Sequence, residues 1–389
     1  MESETSTRPR FPALDPEPPP RRWWRALPVL VLVAVVGVTV IVVTTRSPHR
    51  QHSPRPLAGS FAGIVLAEAP SGQLTLTDLR SGRTVRLSSL GLFPVSPAPV
   101  VSADGKYLIA PAMGILISLA NPAVPVKVPN SLSFSTTSDP ALASPFADHD
   151  RSVVLQGLTY SLPVAKAPTS IQSVSTGHTV PLGIADLAAG DPQAPGVFAP
   201  VGWPSLPLHD GVTPDVRLEL RDAGAPPRVL ASSASLRHIL GISARATVTL
   251  RAIPNPQGTM VAVEVQPTSP GSSAGVVVLD RRGKVLGFES TGSPAIPAIA
   301  WSLSGTTLAF VGSGAIGPEL TEWDVGAQSS TVNLPFGMST PAGCMWSPDA
   351  TAVLCGTSHG AWTILSAGVP HRVTGRGLAL AWLSGRLGR

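Results

Sequence analysis

Cysteine is almost missing from this chain: Cys344 and Cys355 are the only two in 389 residues. At most one intramolecular disulfide can form, so the fold must rest on a buried core. Charge is also sparse, at 13% of residues against 43% hydrophobic. That balance supports a core and excludes a disordered polymer. Helical periodicity is lacking too: beyond the N-terminal region, almost no stretch sustains apolar residues at 3.6-residue spacing. The 8 histidines are dispersed. None shows the H-x-x-x-H or H-E-x-x-H spacing that places two metal ligands on one helix face. No Lys/Arg run is interleaved with aromatics, so the net charge of +5 gives no nucleic-acid footprint. Arginines crowd instead around an N-terminal apolar segment, where membrane topology accounts for them.

Proline and glycine are abundant, 42 and 37 residues. Scattered between short apolar runs, they point to an all-β protein with many turns. The length fits one large domain or two ordinary ones.

Residues 1–25 are polar and proline-rich (PALDPEPPPRRWWR), too poor in apolar groups for a core, and are expected to be a disordered cytoplasmic tail. Residues 26–45, ALPVLVLVAVVGVTVIVVTT, carry no charge. About 20 apolar residues at about 1.5 Å each cross a hydrocarbon layer of about 30 Å. Trp23 and Trp24 stand where an interfacial aromatic belt would lie. The run is long for a signal peptide, and Thr44-Thr45-Arg46 is a poor cleavage site, so an uncleaved single-pass anchor is predicted. Arg21, Arg22 and Arg25 precede the span, against Arg46, Arg50 and Arg55 after it. The positive-inside bias then gives a cytoplasmic N-terminus in the cell membrane and an extracytoplasmic C-terminal part. Residues 46–58 read as a short, stiff tether.

Residues 59–389 repeat. Pro341–Leu365 is the best copy: an apolar run, Gly343–Trp346, then Ser347-Pro348-Asp349 turn chemistry, then Thr351–Cys355 and Ala361–Leu365. Related turns fall near residues 104, 150, 192, 257, 304 and 349. Most are spaced by about 40–50 residues, the length of a β-propeller blade. The longer gap before 257 holds an insertion at Ser232–Arg245, read as a short helix. One first strand is placed at the start of Ile184–Pro200, with a longer turn after it. Third strands are read at Gly114–Leu119, Val216–Leu220, Gly275–Leu279, Glu319–Val325 and Ala361–Leu365, and fourth strands at Lys284–Phe288, Thr331–Leu334 and His371–Thr374. The chain ends on a first strand, Leu378–Gly385, and begins its ordered part on a second strand, Phe61–Ala69. The C-terminal strand is therefore expected to complete the N-terminal blade, giving seven four-stranded blades with only short sheet edges.

The residues Trp346–Ala350 (WSPDA), Ser102–Leu108 (SADGKYL) and Trp301–Phe310 (WSLSGTTLAF) resemble the repeat of TolB-like and WD40-like β-propeller proteins. Gly317–Asp324 looks like that repeat's third strand, which leads into an aspartate turn. The resemblance covers most of residues 60–389; Ser131–Leu240 departs from it. It implies a binding scaffold more often than an enzyme, and fold alone does not fix function.

No catalytic, cofactor or metal residue is assigned. Gly271–Gly275 matches G-x-S-x-G but lies in a loop between strands, without the following helix a nucleophile elbow needs. Gly312–Gly317 matches G-x-G-x-x-G, but Pro318 and a strand follow, not a phosphate-binding helix N-terminus. Asp148-His149-Asp150 is the densest polar triplet, read as a solvated turn against a metal site. His359 and His371 read as single blade-loop residues. Trp301, Trp346 and Trp382 occupy equivalent first-strand positions and are expected to pack between blades. Trp203 is the tryptophan assigned to the surface. Cys344 and Cys355 lie near each other on the first and second strands of one hairpin; an outside location would favour a disulfide, and the alternative is two buried free thiols.

These readings converge on an extracytoplasmic, membrane-tethered binding scaffold for an unidentified protein or glycan, with no cofactor. The alternatives are a hydrolase or lyase with acids or histidines converging at the central channel mouth, and a signalling protein with residues 1–25 as its cytoplasmic contact.

Overall fold

The computed structural model describes residues 61–69, 71, 73–86, 100–102, 107–110, 115–118, 126–127, 146–156, 167–185, 188–202, 215–268, 271–314, 317–327, 329–334, 343–356 and 361–384. The expected tail, membrane span, tether and Trp203 lie outside them. No helix among the described residues is long and apolar enough to cross a membrane.

The described residues form seven four-stranded antiparallel sheets. The first holds β1 (Ile64–Glu68), β2 (Leu74–Asp78) and β3 (Thr84–Arg86). The second holds β4 (Val100–Val101), β5 (Tyr107–Ala110), β6 (Ile115–Ser118) and β7 (Val126–Lys127). The third holds β8 (Phe146–Ala147), β9 (Ser152–Gln156), β10 (Ala167–Ser173) and β11 (Thr179–Ala185). The fourth holds β12 (Ala189–Gly190), β13 (Gly196–Val201), β14 (Arg217–Asp222) and β15 (Arg228–Ser232). After helix α1 (Ser233–Ile239) comes the fifth: β16 (Val248–Pro254), β17 (Met260–Pro267), β18 (Gly275–Asp280) and β19 (Val285–Ser290). The sixth holds β20 (Ala298–Trp301), β21 (Thr307–Ser313), β22 (Pro318–Asp324) and β23 (Ser329–Asn333). The seventh holds β24 (Gly343–Trp346), β25 (Ala352–Gly356), β26 (Ala361–Ser366) and β27 (Val369–Arg376). The last strand, β28 (Leu378–Leu383), returns to pair antiparallel with β1, from Ile64↔Leu383 to Glu68↔Leu378. The first sheet is thus composite, and its inner strand comes from the other end of the chain.

Strand alternation assembles the core. Successive side chains point to opposite faces of a sheet. Val261, Val263 and Val265 of β17 therefore pack with Phe198, Leu218 and Leu220 of the sheet before, while Ala262 packs with Ile299, Leu308 and Phe310 of the sheet after. Val353 and Cys355 likewise join Val311 and Leu320, whereas Ala352 and Leu354 join Val65, Ala67 and Trp382. Both faces of a middle strand are covered. This is why β18 reads as the unbroken apolar run Val276–Leu279, each residue fully buried. Fourth strands are different: in β19, Val285 and Phe288 are exposed.

The turns between first and second strands share one device. Ser102, Asn255, Ser302 and Ser347 each accept, through the side chain, the N–H of the residue five further on, at 2.9–3.2 Å. The backbone bond from the same residue closes the turn. Ser, Asn and Asp suit this position because their short side chains bond nearby amides.

Two expectations need correction. The first strand predicted to start at Ile184 is only Ala189–Gly190; Ile184 belongs to β11 of the preceding sheet. His371, read both as a loop residue and as the start of a fourth strand, lies within strand β27, with its ring 5.6 Å from Phe61. The insertion is a helix, α1, capped by Ser232 in a reciprocal box with Ser235.

Candidate functional site

First-to-second and third-to-fourth turns lie at the same end of their antiparallel sheets, and this turn face carries the polar groups. A cavity of about 690 Å³ opens there, between the turns of the third and fourth sheets. Asp148, His149, Asp150 and Arg151 from the β8–β9 turn and His178 from the β10–β11 turn line one side. Pro195 and Ala223, from two turns of the fourth sheet, line the other, and Tyr107 contributes from β5. Asp148, His149 and Asp150 all have positive φ, at 52°, 50° and 63°. Three consecutive non-glycine residues in the left-handed region are uncommon and cost conformational energy. The turn is held by the next sheet: Asp148 N–H donates to the Asp191 carbonyl at 2.9 Å, and His149 N–H to the Pro192 carbonyl at 2.7 Å. The triplet is therefore a turn, as its sequence indicated, and it forms one wall of a cavity. No group of three or more metal-ligating side chains exists among the described residues.

Behind the Pro195–Ala223 wall lies a buried ionic cluster. Asp191 occupies the turn position held by Ser or Asn in four other sheets, and its N–H closes the turn on the Gly196 carbonyl at 2.9 Å. Its carboxyl does not cap the next strand. Oδ1 accepts from Arg281 Nη1 at 2.6 Å and from the Gln193 N–H at 3.0 Å. Arg281, from the β18–β19 turn, also donates to the Gly258 carbonyl at 3.3 Å, and its own carbonyl accepts from Arg228 Nη2 at 2.6 Å. Asp222 ends β14 beside Asp191, over Gly196, where any Cβ would strike Asp222 Oδ1. Asp191 is fully buried. Asp191 Oδ2 and Asp222 Oδ1 are buried without a donor. Burial raises the Asp222 carboxyl above its ordinary range, and the Asp191 charge adds to this; Arg281 and Arg228 pull the other way without cancelling it.

Further interlocks run around the same face. Gln193 Nε2 donates to the Gln257 carbonyl at 2.8 Å, Gln257 Nε2 to Leu303 at 2.6 Å, and Asn255 Nδ2 to Gly305 at 2.9 Å.

The inner strands present little chemistry. Their one charged residue among the described residues is Arg251, which pairs with Glu264 directly opposite on β17 at 2.6 Å. They bring no two carboxylates or histidines together there. Gly271–Gly275 connects β17 to β18, and Gly312–Gly317 connects β21 to β22, so neither glycine motif precedes a helix. The tryptophans Trp301, Trp346 and Trp382 are buried at their first-strand positions. Cys344 and Cys355 are paired residues of β24 and β25, joined as a disulfide. His359 lies outside the described residues. Sequence reasoning missed the cavity and the carboxyl pair. Asp191 carried a faint signal as an acidic residue in a position that Ser or Asn holds in four other sheets.

No protein-family model matches the chain. No curated protein matches it either. Solved structures similar to it include TolB from Acinetobacter baumannii, 14% identical over 70% of this chain, with a TM-score of 0.42. That match spans 64% of TolB, less than two thirds of its length. The β-propeller domain of the Trilobed protease from Pyrococcus furiosus is 11% identical over 79% of this chain and 92% of that one, with a TM-score of 0.48. The β-propeller domain of Myceliophteria thermophila Cps50 is 13% identical over 75% and 86%, also at 0.48. Each of these TM-scores lies below 0.5, so no role is taken from these structures.

Proposed function

We propose that this protein is a single-pass membrane protein whose seven-bladed propeller stands outside the cytoplasm and binds a polar ligand, a glycan or a protein segment, on its turn face. The observation that carries the reading is the cavity of about 690 Å³ walled by Asp148, His149, Asp150 and His178. Its volume lies in the range of small-molecule sites, about 300–1,000 Å³. It sits on sheets interlocked by turn-to-turn hydrogen bonds, a scaffold suited to holding loops in place. The placement is supported by the apolar run 26–45 and by the Cys344–Cys355 disulfide, which persists in oxidising compartments.

Two experiments test it. Full-length protein in nanodiscs is screened on a glycan array and by cross-linking in native membranes. A ligand retained by wild type should be lost in the His149→Ala/His178→Ala double variant. Retention by that variant moves the site away from the cavity. For topology, protease added to intact cells should digest residues 59–389 and spare residues 1–25; the reverse pattern overturns the orientation.

A further inference from the structure

We propose that Asp191 and Asp222 hold one proton between them, and that this shared proton fastens the turn from which the Asp148–His149 wall of the cavity hangs. At the first position of four other turns, Ser102, Asn255, Ser302 and Ser347 cap the following strand. At the end of other third strands, Asp78 accepts the N–H groups of Arg80 and Ser81, and Asp280 those of Arg282 and Lys284. Asp191 and Asp222 are the copies of these two positions in the fourth sheet. Neither carboxyl takes the usual role, and the two meet instead.

The charged groups around them are few. Arg281 and Arg228 face the pair from the neighbouring turn and from β15, and both have committed donors: Arg281 to Asp191 Oδ1 and Gly258, Arg228 to the Arg281 carbonyl. Asp191 Oδ2 and Asp222 Oδ1 are left buried and without a donor. Two ionised carboxylates in that arrangement repel, and each keeps an unsatisfied oxygen. One proton removes both faults: Asp222 as the acid donates to Asp191 Oδ2. A proton needs only these two oxygens. Two guanidinium groups alongside oppose a metal cation in its place.

The consequence follows from connectivity. The main-chain carbonyls of Asp191 and Pro192 hold the N–H groups of Asp148 and His149. When the pH rises through the raised range, the shared proton leaves to solvent, the carboxylates repel, and the Asp191–Pro192 turn loosens its hold on the strained triplet. If the cavity is the binding site, as proposed above, its affinity falls as the proton is lost.

The test uses the full-length protein without ligand, so it stands whether or not the cavity reading survives. Aspartate carboxyls are labelled with 13C and titrated by NMR, and hydrogen exchange of residues 146–156 is followed over the same pH series. One aspartate should remain protonated above the ordinary range. Once it ionises, exchange at Asp148 and His149 should rise several-fold beyond the intrinsic base-catalysed trend. Asp222→Asn, whose amide can donate to Asp191 without titrating, should remove both signals. The proposal is overturned if every aspartate titrates in the ordinary range, or if Asp222→Asn keeps the excess exchange. It is also overturned if calcium chloride abolishes the raised titration while raising the melting temperature, since the oxygens would then hold a cation. Should Asp222→Asn fail to fold, the wild-type titration decides alone.

Discussion

Trp346 donates its indole N–H to the carbonyl of Ala300, 3.1 Å away in the preceding sheet. Trp301 makes the same bond one sheet earlier, to Ile253 at 2.8 Å. Trp382 holds the equivalent place in β28, yet it donates within the composite sheet, to Ala62 at 3.0 Å. A repeated residue therefore joins sheet to sheet at two places and secures the chain closure at a third. Each indole fills core volume and satisfies a backbone acceptor at once, which a purely apolar residue cannot do.

Trp346→Phe should keep most of the packing and lose the bond, at a cost of about 1 kcal/mol. Trp346→Ala should cost about 3–5 kcal/mol, because it also opens a cavity. Urea denaturation of the two variants separates these contributions. No loss in Trp346→Phe would show that the indole N–H contributes nothing.

The Cys344–Cys355 disulfide spans only 11 positions of sequence within an already paired hairpin. Its effect on the unfolded chain is correspondingly small, about 2–3 kcal/mol at most. Cys344→Ala/Cys355→Ala should therefore fold, with a lower denaturation midpoint. Mass mapping without reductant should recover the two cysteine peptides as one linked species. Two free thiols in protein taken from its native membrane would remove this support for an extracytoplasmic propeller.

Arg281→Met should be among the most damaging single changes on the turn face. It strips the fully buried Asp191 carboxyl of its ion-pair partner, leaving only the Gln193 N–H on Oδ1. Breaking a buried pair from one side costs about 3–5 kcal/mol. Asp191→Asn added to Arg281→Met should recover a large part of that, as a double-mutant cycle would show. Additive losses would mean that the two side chains are not coupled.

The repeat was legible because its turns are written in local chemistry. Ser, Pro, Asp and Gly fix backbone geometry within a few residues, so Ser302–Gly305 and Ser347–Ala350 identify themselves. Closure was legible because Leu378–Leu383 reads as a first strand and Ile64–Glu68 as a second. The third and fourth sheets were less clear for physical reasons. A first strand of two residues, Ala189–Gly190, is too short to show alternation, and it lies so close to Phe146 that a Cβ at Gly190 would meet the Phe146 carbonyl. The apolar residues nearby, Val180, Leu182 and Ile184, belong to an outer strand and drew the expected boundary the wrong way. The carboxyl pair was not legible at all. Asp191 and Asp222 each look like turn residues, and only the packing of one turn on another decides that they face each other.

Glu68 offers a test of burial without a counter-charge. It ends β1 and is only 6% exposed. Desolvation raises its carboxyl above the ordinary glutamate range, because burial disfavours the charged form. In the unfolded chain the same group ionises at its ordinary, lower pKa. Below that pKa both states are protonated and the folded protein keeps its full stability. As pH rises from there to the raised folded value, the unfolded state gives up its proton first, and stability falls before levelling off. Glu68→Gln removes the titration while keeping the shape. The variant should match wild type at the acid end of the series and exceed it at neutral pH, when denaturation midpoints are compared across the range. A wild-type advantage at neutral pH would instead mean that the ionised Glu68 carboxylate is favourably held.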